Sequence, residues 1–371
     1  MKQTILITGG AGFIGSHVAD ELLAAGYSVR VLDCLSPQVH GEERARPAYL
    51  APQVELMRGD VEDREILRRA LKGVAGVFHF AAKVGVGQSM YQVAEYTATN
   101  NLGTAVFMEE LMEQRVKKLV VASSMSIYGE GIYQSCDGAL VSGTERPLEQ
   151  LKAHRWELTD ATGRPLEPLP TPENKVPSLA SIYALSKFDQ ERMCLLLGRA
   201  YGISTIALRF FNVYGPRQAL SNPYTGVLAI FAAEYLRGRP PQIFEDGLQQ
   251  RDFVNVHDVA RACRLALESD ISDETFNIGS GREITIREVA RTLARVLEIN
   301  ALRAEITGRY RVGDIRHCFA DIGKARRMLG YEPQVGFDEG LRELAGWLKD
   351  QAIVDHGLQA GKELEERGLT V

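Results

Sequence analysis

Tyr183 and Lys187 are the two residues whose types and spacing best support chemistry in this chain. Residues four apart on a helix lie about one turn apart on the same face, so a helix here would bring the ammonium near the phenol. A nearby positive charge lowers the pKa of a phenol and makes it a usable proton acceptor near neutral pH. With a dinucleotide-binding loop upstream, the pair predicts removal of hydride from an alcohol.

The upstream loop is a glycine fingerprint formed by Gly10, Gly12 and Gly15, which lie between a predicted strand and a predicted helix. Glycines allow a tight turn and let the backbone approach a pyrophosphate, whose charge the helix N-terminus stabilises. Asp33 ends the next predicted strand, about 20 residues downstream, where a carboxylate binds the adenosine ribose. Because this carboxylate would repel a 2′-phosphate, the predicted cofactor is NAD rather than NADP.

Short apolar runs alternate with amphipathic stretches in the first half, which predicts an α/β fold with a parallel sheet. We predict strands at residues 4–8, 28–32, 54–58, 76–80, 118–122 and 205–209. We predict helices at residues 13–25, 63–71, 94–114, 182–200, 227–237, 256–267 and 286–297.

The chain divides into a cofactor-binding part and a smaller lobe. We expect a cofactor-binding domain at residues 1–211, a substrate-binding lobe interleaved with the sheet at 212–350, and a tail at 351–371. Residues 130–181 are rich in proline and show little periodicity, which predicts a functional loop or an inserted subdomain.

Composition excludes several classes of protein. The formal net charge of −5 gives no basic signature for nucleic acid, and no apolar run approaches the length of a membrane span. The 5 cysteines are scattered, as is typical of reduced thiols in the cytoplasm. A strand and a glycine turn occupy residues 1–15, so we expect no signal peptide and a cytoplasmic protein.

With these elements in order, the chain resembles the extended short-chain dehydrogenases/reductases, in particular their NAD-dependent nucleotide-sugar epimerase/dehydratase branch. The resemblance covers about residues 3–345 and implies a Rossmann doubly wound parallel sheet with a smaller C-terminal α/β substrate-binding lobe. Nine motifs carry it: residues 8–15, 59–61, 79–82, 100–104, 123–129, 183–187, 209–216, 251–254 and 277–281.

The resemblance implies a set of site residues. The catalytic ones are Ser124, Tyr183 and Lys187, and Ser124 would also touch the sugar. Asn212 and Arg251 would touch the diphosphate or the nucleotide of the substrate. Tyr183 and Lys187 would also contact the NAD, together with Gly9, Gly12, Phe13, Ile14, Gly15, Asp33, Asp60, Val61, Phe80, Ala81, Ala82, Lys83 and Asn100. His79 is interpreted as a packed strand residue, and His257 as a helix-start or packing residue.

The implied reaction is transient oxidation of a sugar at C4. Tyr183 takes the proton of the 4-hydroxyl, Ser124 hydrogen-bonds the same oxygen, and Lys187 holds the nicotinamide ribose and lowers the pKa of Tyr183. The 4-keto sugar then rotates about its diphosphate linkage, and hydride returns to its other face. NAD is therefore regenerated without leaving the protein. Relatives of this kind commonly dimerise through helices near residues 95–114 and 182–200.

Within the branch, the chain is most similar to nucleotide-sugar 4-epimerases of the dTDP-L-rhamnose 4-epimerase type, on residues 84–91, 124–131 and 218–226. Such relatives carry paired cysteines in the insertion, whereas this chain has Cys136 alone there, so we predict no metal. The sugar and the nucleotide are not encoded in any local pattern.

Other activities stay open. A UDP-sugar 4-epimerase acting on glucose/galactose or glucuronate, a nucleotide-sugar decarboxylase and a net dehydrogenase share the oxidation step. A 4,6-dehydratase is disfavoured, because Met125 and Ser126 stand where dehydratases carry an acid and a base. The alternative outside catalysis is an NAD-binding sensor or scaffold on the same fold.

Overall fold

A parallel sheet covered by helices on both faces positions most of the candidate residues. The structure is a computed structural model that describes residues 3–114, 116–218, 226–299, 301–311 and 313–349. The predicted tail at 351–371 and most of the loop at 218–226 lie outside the described residues.

Strands and helices alternate along the first half of the chain, and short strands join the helices of the second half. The strands are β1 (Thr4–Thr8), β2 (Ser28–Asp33), β3 (Glu55–Arg58), β4 (Val74–His79), β5 (Lys118–Ser124), β6 (Ile132–Gln134), β7 (Leu140–Ser142), β8 (Glu167–Leu169), β9 (Ser204–Phe210), β10 (Asn212–Tyr214), β11 (Gln242–Ile243), β12 (Gln250–Arg251), β13 (Phe253–Asn255), β14 (Glu274–Ile278), β15 (Ile284–Thr285), β16 (Glu305–Ile306) and β17 (His317–Cys318). The helices are α1 (Phe13–Ala24), α2 (Pro37–His40), α3 (Arg64–Leu71), α4 (Val86–Ser89), α5 (Val93–Tyr96), α6 (Gly103–Met112), α7 (Leu148–Lys152), α8 (Ile182–Tyr201), α9 (Val227–Leu236), α10 (Val256–Glu268), α11 (Ile286–Val296), α12 (Gly323–Leu329) and α13 (Phe337–Lys349).

Within the described residues, seven parallel strands form the main sheet in the order β3-β2-β1-β4-β5-β9-β14. The chain winds outward from β1 in one direction and from β4 in the other, so the winding reverses between these two strands. Ligands of doubly wound sheets bind at such a reversal, beyond the carboxyl ends of the strands. The prediction of a doubly wound parallel sheet is confirmed.

Both faces of this sheet are buried, as a parallel sheet requires. Ile5 and Ile7 of β1 belong to the core on one face, where α1 and α10 pack, whereas Leu6 belongs to the core on the other. This alternation follows from the two-residue period of a strand.

The predicted main strands agree with the structure to within two residues at each end, and most helices to within one. Local signals explain this agreement. For example, Asp63 caps α3 because its side chain accepts hydrogen bonds from the amides of Glu65 and Ile66. The single helix predicted at 94–114 is wrong, because a π-helical turn at Thr97–Leu102 separates α5 from α6. Such π-helical turns are rare and often lie at functional sites.

The insertion at 130–181 is more regular than its composition suggests. Strand β6 pairs antiparallel with both β7 and β8, and Tyr133, Leu158 and Leu166 form a small core beneath them. Backbone hydrogen bonds from Gly131 to His317 (2.8 Å) and from Thr171 to Phe319 (2.8 Å) attach the insertion to the C-terminal part.

The C-terminal part has its own core, formed where α9, α11 and α13 pack together around residues such as Phe231, Leu293 and Leu344. Two elements that follow residue 212 belong to the main sheet instead. Strand β14 pairs with β9, and α10 packs against α1. The lobe and the sheet are therefore interleaved along the chain.

Candidate active site

The turn between β1 and α1 is shaped for close approach of another group. Gly9 has φ +70°, and a Cβ there would lie 2.8 Å from the amide nitrogen of Ala81. A Cβ on Gly15 would lie 2.6 Å from the carbonyl oxygen of Gly9. Gly12 is the N-cap of α1, and no side chain among the described residues caps the helix there. The amides of the first turn, at Phe13 and Ile14, therefore suit an anion.

Asp33 lies beside this turn, at the end of β2. Its Oδ2 accepts a hydrogen bond from the amide of Ala11 (3.0 Å) and its Oδ1 accepts one from the amide of Leu35 (2.9 Å). The Tyr49 hydroxyl donates to the carbonyl of Ala11 (2.8 Å), and burial, followed by the Asp33 charge, raises the pKa of Tyr49 to about 12. The turn and a fixed carboxylate thus form one surface, with the charge that suits ribose hydroxyls and opposes a 2′-phosphate.

The segment that follows β4 forms the other wall. The Thr8 hydroxyl oxygen accepts hydrogen bonds from the amides of Phe80 and Ala81 (both 3.2 Å), which fixes this segment, including the half-buried Ala82, next to β1. Beyond β3, Asp60 Oδ1 accepts from the amide of Glu62 (3.1 Å). Val61 is buried beside Gly103, where an added Cβ would lie 2.8 Å from Val61 Cγ2.

Asn100 is fully buried in the π-helical turn and holds the same wall. Its Oδ1 accepts from the amide of Lys83 (2.7 Å), and its Nδ2 donates to the carbonyl of Lys83 (3.0 Å) and to Ser186 Oγ (2.9 Å). The ammonium of Lys83 pairs with Glu95. Asn100 therefore joins the wall beyond β4 to helix α8.

Ser124 and Tyr183 are brought together, as the sequence predicts. Ser124 ends β5, while α8 begins after Ser181, whose side chain accepts a hydrogen bond from the amide of Ala184 (3.1 Å). Burial raises the pKa of Tyr183, and a hydrogen bond with Ser124 partly offsets the rise. The Ser126 hydroxyl donates to Ser124 Oγ (2.9 Å). A phenol and a hydroxyl thus meet at the carboxyl edge of the sheet.

Lys187 has a partner that was not predicted. Its ammonium donates to Gln190 Oε1 (2.7 Å), and burial lowers the pKa of Lys187 to about 8. Burial and the hydrogen bond with Ser124 govern the pKa of Tyr183 in this structure, so its lowering by Lys187 stays a prediction. The helical spacing is as expected, but the side chain of Lys187 runs toward the next turn of α8, where Gln190 Oε1 accepts its hydrogen bond.

A buried ion pair behind these residues was not predicted. Glu191 accepts two hydrogen bonds from Arg209 and one from Ser123 Oγ (2.6 Å), and a third Arg209 nitrogen donates to the Tyr128 hydroxyl (2.7 Å). The sequence holds a signal for Glu191, because it follows Lys187 by the same four-residue step that separates Lys187 from Tyr183.

Asn212 lies close to the catalytic edge along the chain. Phe210 pairs with Ser124 across β9 and β5, and Asn212 follows two residues later, with its amide donating to the carbonyl of Asp252 (3.0 Å). Its Oδ1 is buried and accepts no hydrogen bond from the residues that the structure describes. An orphaned acceptor of this kind suits a hydrogen-bond donor from a ligand.

Arg251 lies in the C-terminal part and is held by the segment before β17. Its guanidinium donates to the carbonyls of Gln250 (3.0 Å), Arg316 (3.0 Å) and Ile315, and it faces the Asp314 carboxylate at 3.5 Å. No direct contact among the described residues joins Arg251 to the pair of Tyr183 and Ser124. The structure therefore fixes the guanidinium beside residues 314–316.

His79 packs in the core and His257 lies at a helix start, as the sequence predicts. His79 stacks on Phe107 with ring centroids 4.2 Å apart, and burial lowers its pKa to about 3, so it is uncharged. The amide of His257 donates to the N-cap Asn255 (2.8 Å) at the start of α10.

Metal ligands, membrane spans and disulfides are the remaining features that could define a site. Among the described residues, no three His, Cys, Asp or Glu side chains cluster in a way that could hold a metal ion. In the same part of the chain, no helix is long and apolar enough to cross a membrane. All of the cysteines are free, and Cys136 is exposed.

Comparison with known proteins agrees with this geometry. The family model for the NAD dependent epimerase/dehydratase family matches residues 5–152 and 160–279. The dTDP-L-rhamnose 4-epimerase of Burkholderia thailandensis is 33% identical over 94% of this chain and 96% of its own.

Solved structures agree as well. A UDP-glucose 4-epimerase of Thermotoga maritima with UDP-glucose is 33% identical, with a TM-score of 0.75 over 94% of this chain and 99% of that chain. A Thermus thermophilus UDP-glucose 4-epimerase in complex with NAD is 32% identical, with a TM-score of 0.72 over 94% of this chain and 100% of that chain. The chain belongs to the NAD dependent epimerase/dehydratase family.

Proposed function

We propose that the chain is a nucleotide-sugar 4-epimerase that uses NAD. The observation that carries this proposal is the contact between Tyr183 and Ser124 at the carboxyl edge of the sheet whose strand β1 leads into the glycine turn. A phenol and a hydroxyl that are in contact can both reach the same alcohol oxygen of a substrate. The phenol can then remove the proton while the hydroxyl stabilises the charge that develops on the oxygen. The relatives named above, which are 4-epimerases, support the same reaction.

The residues around the turn fit NAD. The uncapped start of α1 would take the pyrophosphate, and Asp33 would take the adenosine ribose, with Asp60 and Val61 bordering the adenine. The wall from Phe80 to Lys83, fixed by Thr8 and Asn100, would face the nicotinamide half. When bound, NAD accepts hydride from C4 of the sugar and later returns it to the opposite face.

The chain's own residues handle the proton. Tyr183 takes the proton of the 4-hydroxyl at its phenolic oxygen and gives it back after the sugar has turned, while Ser124 donates a hydrogen bond to the same sugar oxygen. Because burial raises the pKa of Tyr183, a positive charge is needed beside it to make the phenolate accessible. Lys187, one turn further along α8, is the residue that we assign to supply that charge.

The substrate is proposed to bind mainly through the C-terminal part. Arg251, with its fixed guanidinium, would hold the diphosphate of a nucleotide sugar, whereas the orphaned Oδ1 of Asn212 would accept a hydrogen bond from an N–H or O–H group of the same substrate. We propose that residues 1–211 serve the cofactor and 212–350 the substrate, although β14 and α10 belong to the main sheet. A dTDP-linked 6-deoxysugar such as dTDP-L-rhamnose is the first candidate, because that relative matches nearly the whole chain. UDP-glucose is the second candidate.

We also propose a homodimer in the cytoplasm. Leu185 (49% exposed) and Leu196 (51% exposed) are eleven residues apart on α8, which is about three helical turns and therefore one face. Leu102 (53% exposed) lies at the end of the π-helical turn, on the element that packs beside α8. A second copy would bury these side chains. The free cysteines support the location.

Replacement of Tyr183 by phenylalanine tests the proposal. Tyr183→Phe removes the proton acceptor without changing the ring, so we expect turnover to fall by about 100-fold or more while bound NAD is retained. Tyr201→Phe is the matched control, because it makes the same change at an exposed position on the same helix. Full turnover by Tyr183→Phe would overturn the assignment.

A further inference from the structure

Gln190 is almost completely buried (1% exposed) and uses both ends of its side chain. Its Oε1 accepts from the Lys187 ammonium (2.7 Å), while its Nε2 donates to Thr104 Oγ1 (2.7 Å) and to the carbonyl of Ala81 (3.3 Å). The carboxamide thus joins Lys187 to the wall that we assign to NAD.

The surrounding donors and acceptors fix which way this carboxamide faces. The Thr104 hydroxyl donates to the carbonyl of Asn100 (2.6 Å), so its oxygen can only accept from its other neighbours. His79 Nε2 lies 3.0 Å from that oxygen and must carry the proton, which leaves Nδ1 to accept from Thr8 Oγ1 (2.9 Å). Gln190 must therefore present its NH₂ to Thr104, and its oxygen is left for Lys187.

The result is one continuous chain of hydrogen bonds. It runs from Lys187 through Gln190, Thr104 and His79 to Thr8, whose oxygen also accepts the amides of Phe80 and Ala81. Every residue of this hydrogen-bond chain is buried. Because His79 is uncharged, its ring does not repel the Lys187 ammonium. The location of the Lys187 charge is therefore tied to the strand ends that form the cofactor wall.

We propose that Gln190 is the positioning residue for Lys187, holding its ammonium in place by a hydrogen bond while its own NH₂ is anchored to Thr104 and Ala81. The inference rests on the proposed function, because it concerns the same catalytic lysine. A neutral carboxamide satisfies a buried ammonium without cancelling its charge, which stays available to Tyr183. A carboxylate at this position would neutralise it.

The other charged and titratable groups near Lys187 either have partners of their own or stay neutral. Glu191 is held by Arg209 and Ser123, and burial raises the pKa of the Cys194 thiol to about 12, so that it stays neutral. Burial also keeps His79 neutral and raises the pKa of Tyr183. Gln190 is thus the group whose replacement changes the surroundings of the ammonium most directly.

The test is a direct titration of Lys187 by NMR of ¹⁵N-lysine-labelled protein, with the resonance assigned by its loss in Lys187→Met. Gln190→Leu removes the acceptor and should lower the pKa of Lys187 by about one unit. Gln190→Glu keeps the size, adds a negative charge and should raise that pKa by about one unit. If Gln190→Leu fails to fold, Gln190→Glu carries the test alone. Gln114→Leu makes the same change near the end of α6 and should leave the titration unaltered.

The kinetic readout is the dependence of kcat on pH. Both Gln190 variants should lose about 10-fold or more in kcat with KM nearly unchanged, and the alkaline limb should move down in pH for Gln190→Leu and up for Gln190→Glu. A Lys187 pKa that moves the same way in both variants, or in neither, would overturn the inference. Because the titration needs no substrate, it separates failure of this inference from failure of the proposed epimerase activity.

Discussion

Arg209 and Glu191 form a bidentate ion pair beside Ser123, the residue that precedes Ser124. Nε of Arg209 lies 2.9 Å from Oε2 of Glu191, and Nη2 lies 2.6 Å from Oε1. Both residues are buried, at 6% and 1% exposure, and Glu191 also accepts the Ser123 hydroxyl. The pair connects β9 and β5 to α8, which carries Tyr183. It therefore fixes the distance between the helix and the strand that together make the site.

Removal of one partner should be costly. Arg209→Met leaves the Glu191 carboxylate buried without its cation, so the free energy of unfolding should fall by about 3–5 kcal/mol. Urea denaturation of the purified protein measures this free energy of unfolding.

An exposed pair on the same helix provides the control. Arg199 pairs with Asp273 at the surface (2.6 Å), so Arg199→Met should cost less than about 1 kcal/mol. The double variant with Glu191→Gln and Arg209→Met should recover part of the loss, because no unpaired charge is left. Equal losses in Arg209→Met and Arg199→Met would contradict the role given to the buried pair.

Asp33 should set the preference for NAD. Asp33→Asn removes the charge but keeps the size, so NADH affinity should fall about 10- to 100-fold, as expected for lost hydrogen bonds to a charged group. NADPH affinity should fall less or rise, because the repulsion of the 2′-phosphate is gone. Fluorescence titration of nucleotide-free protein measures both. Asp137→Asn, in the exposed part of the insertion, is the control, and an unchanged ratio of the two affinities would exclude Asp33 from the ribose site.

Two buried histidines should make the protein sensitive to acid. Burial lowers the pKa of His79 to about 3, and burial followed by the Arg217 charge does the same for His17. Because the unfolded chain takes up protons near pH 6.5 and these folded sites do not, the stability present above that pH is lost as pH falls toward 3. Between pH 7 and pH 5 each histidine should contribute about 2 kcal/mol to the loss.

Urea denaturation at the two pH values measures this effect. The loss should be smaller by about 2 kcal/mol in His79→Gln and in His17→Gln than in the wild type. His154→Gln, at an exposed position, should behave as the wild type. An equal loss in all four proteins would show that other groups control acid unfolding.

The sequence predicted those parts of the molecule that local signals determine. The strand at residues 4–8, the glycine turn and the cap at Asp63 follow from periodicity, from backbone geometry and from a side chain that binds its own helix. The π-helical turn around Asn100 was missed, because its residues would fit an α-helix equally well. The short strand β6 was missed because it has too few residues to show a period and because it also pairs with β8, which lies beyond α7 in the chain.

The same distinction holds within the site. The four-residue spacing placed Tyr183 and Lys187 on one helix, but the partner that Lys187 selects depends on Gln190, Thr104 and Ala81, which come from three different segments. Periodicity has no information about that choice. The buried pair of Glu191 and Arg209 likewise joins elements that only the folded sheet brings together.

The exposed leucines of α8 should mediate dimerisation. Leu185→Lys combined with Leu196→Lys places two charges on the face that a second copy would bury. The wild-type protein should therefore have the mass of two chains, and the double variant the mass of one. Light scattering after gel filtration measures the mass. Leu140→Lys, in the insertion (71% exposed), is the control and should not change it. A wild-type protein that elutes at the mass of one chain would contradict the proposed dimer.

The proposed epimerase activity is tested most directly by turnover on a panel of dTDP- and UDP-linked sugars, followed simultaneously by product NMR and by the absorbance band of NADH. We expect one of these sugars to be converted to its C4 epimer without accumulation of NADH and without added cofactor, because hydride returns to the same sugar. Stoichiometric NADH, a decarboxylated pentose or a 4-keto-6-deoxy product would contradict the epimerase assignment and indicate a dehydrogenase, a decarboxylase or a dehydratase.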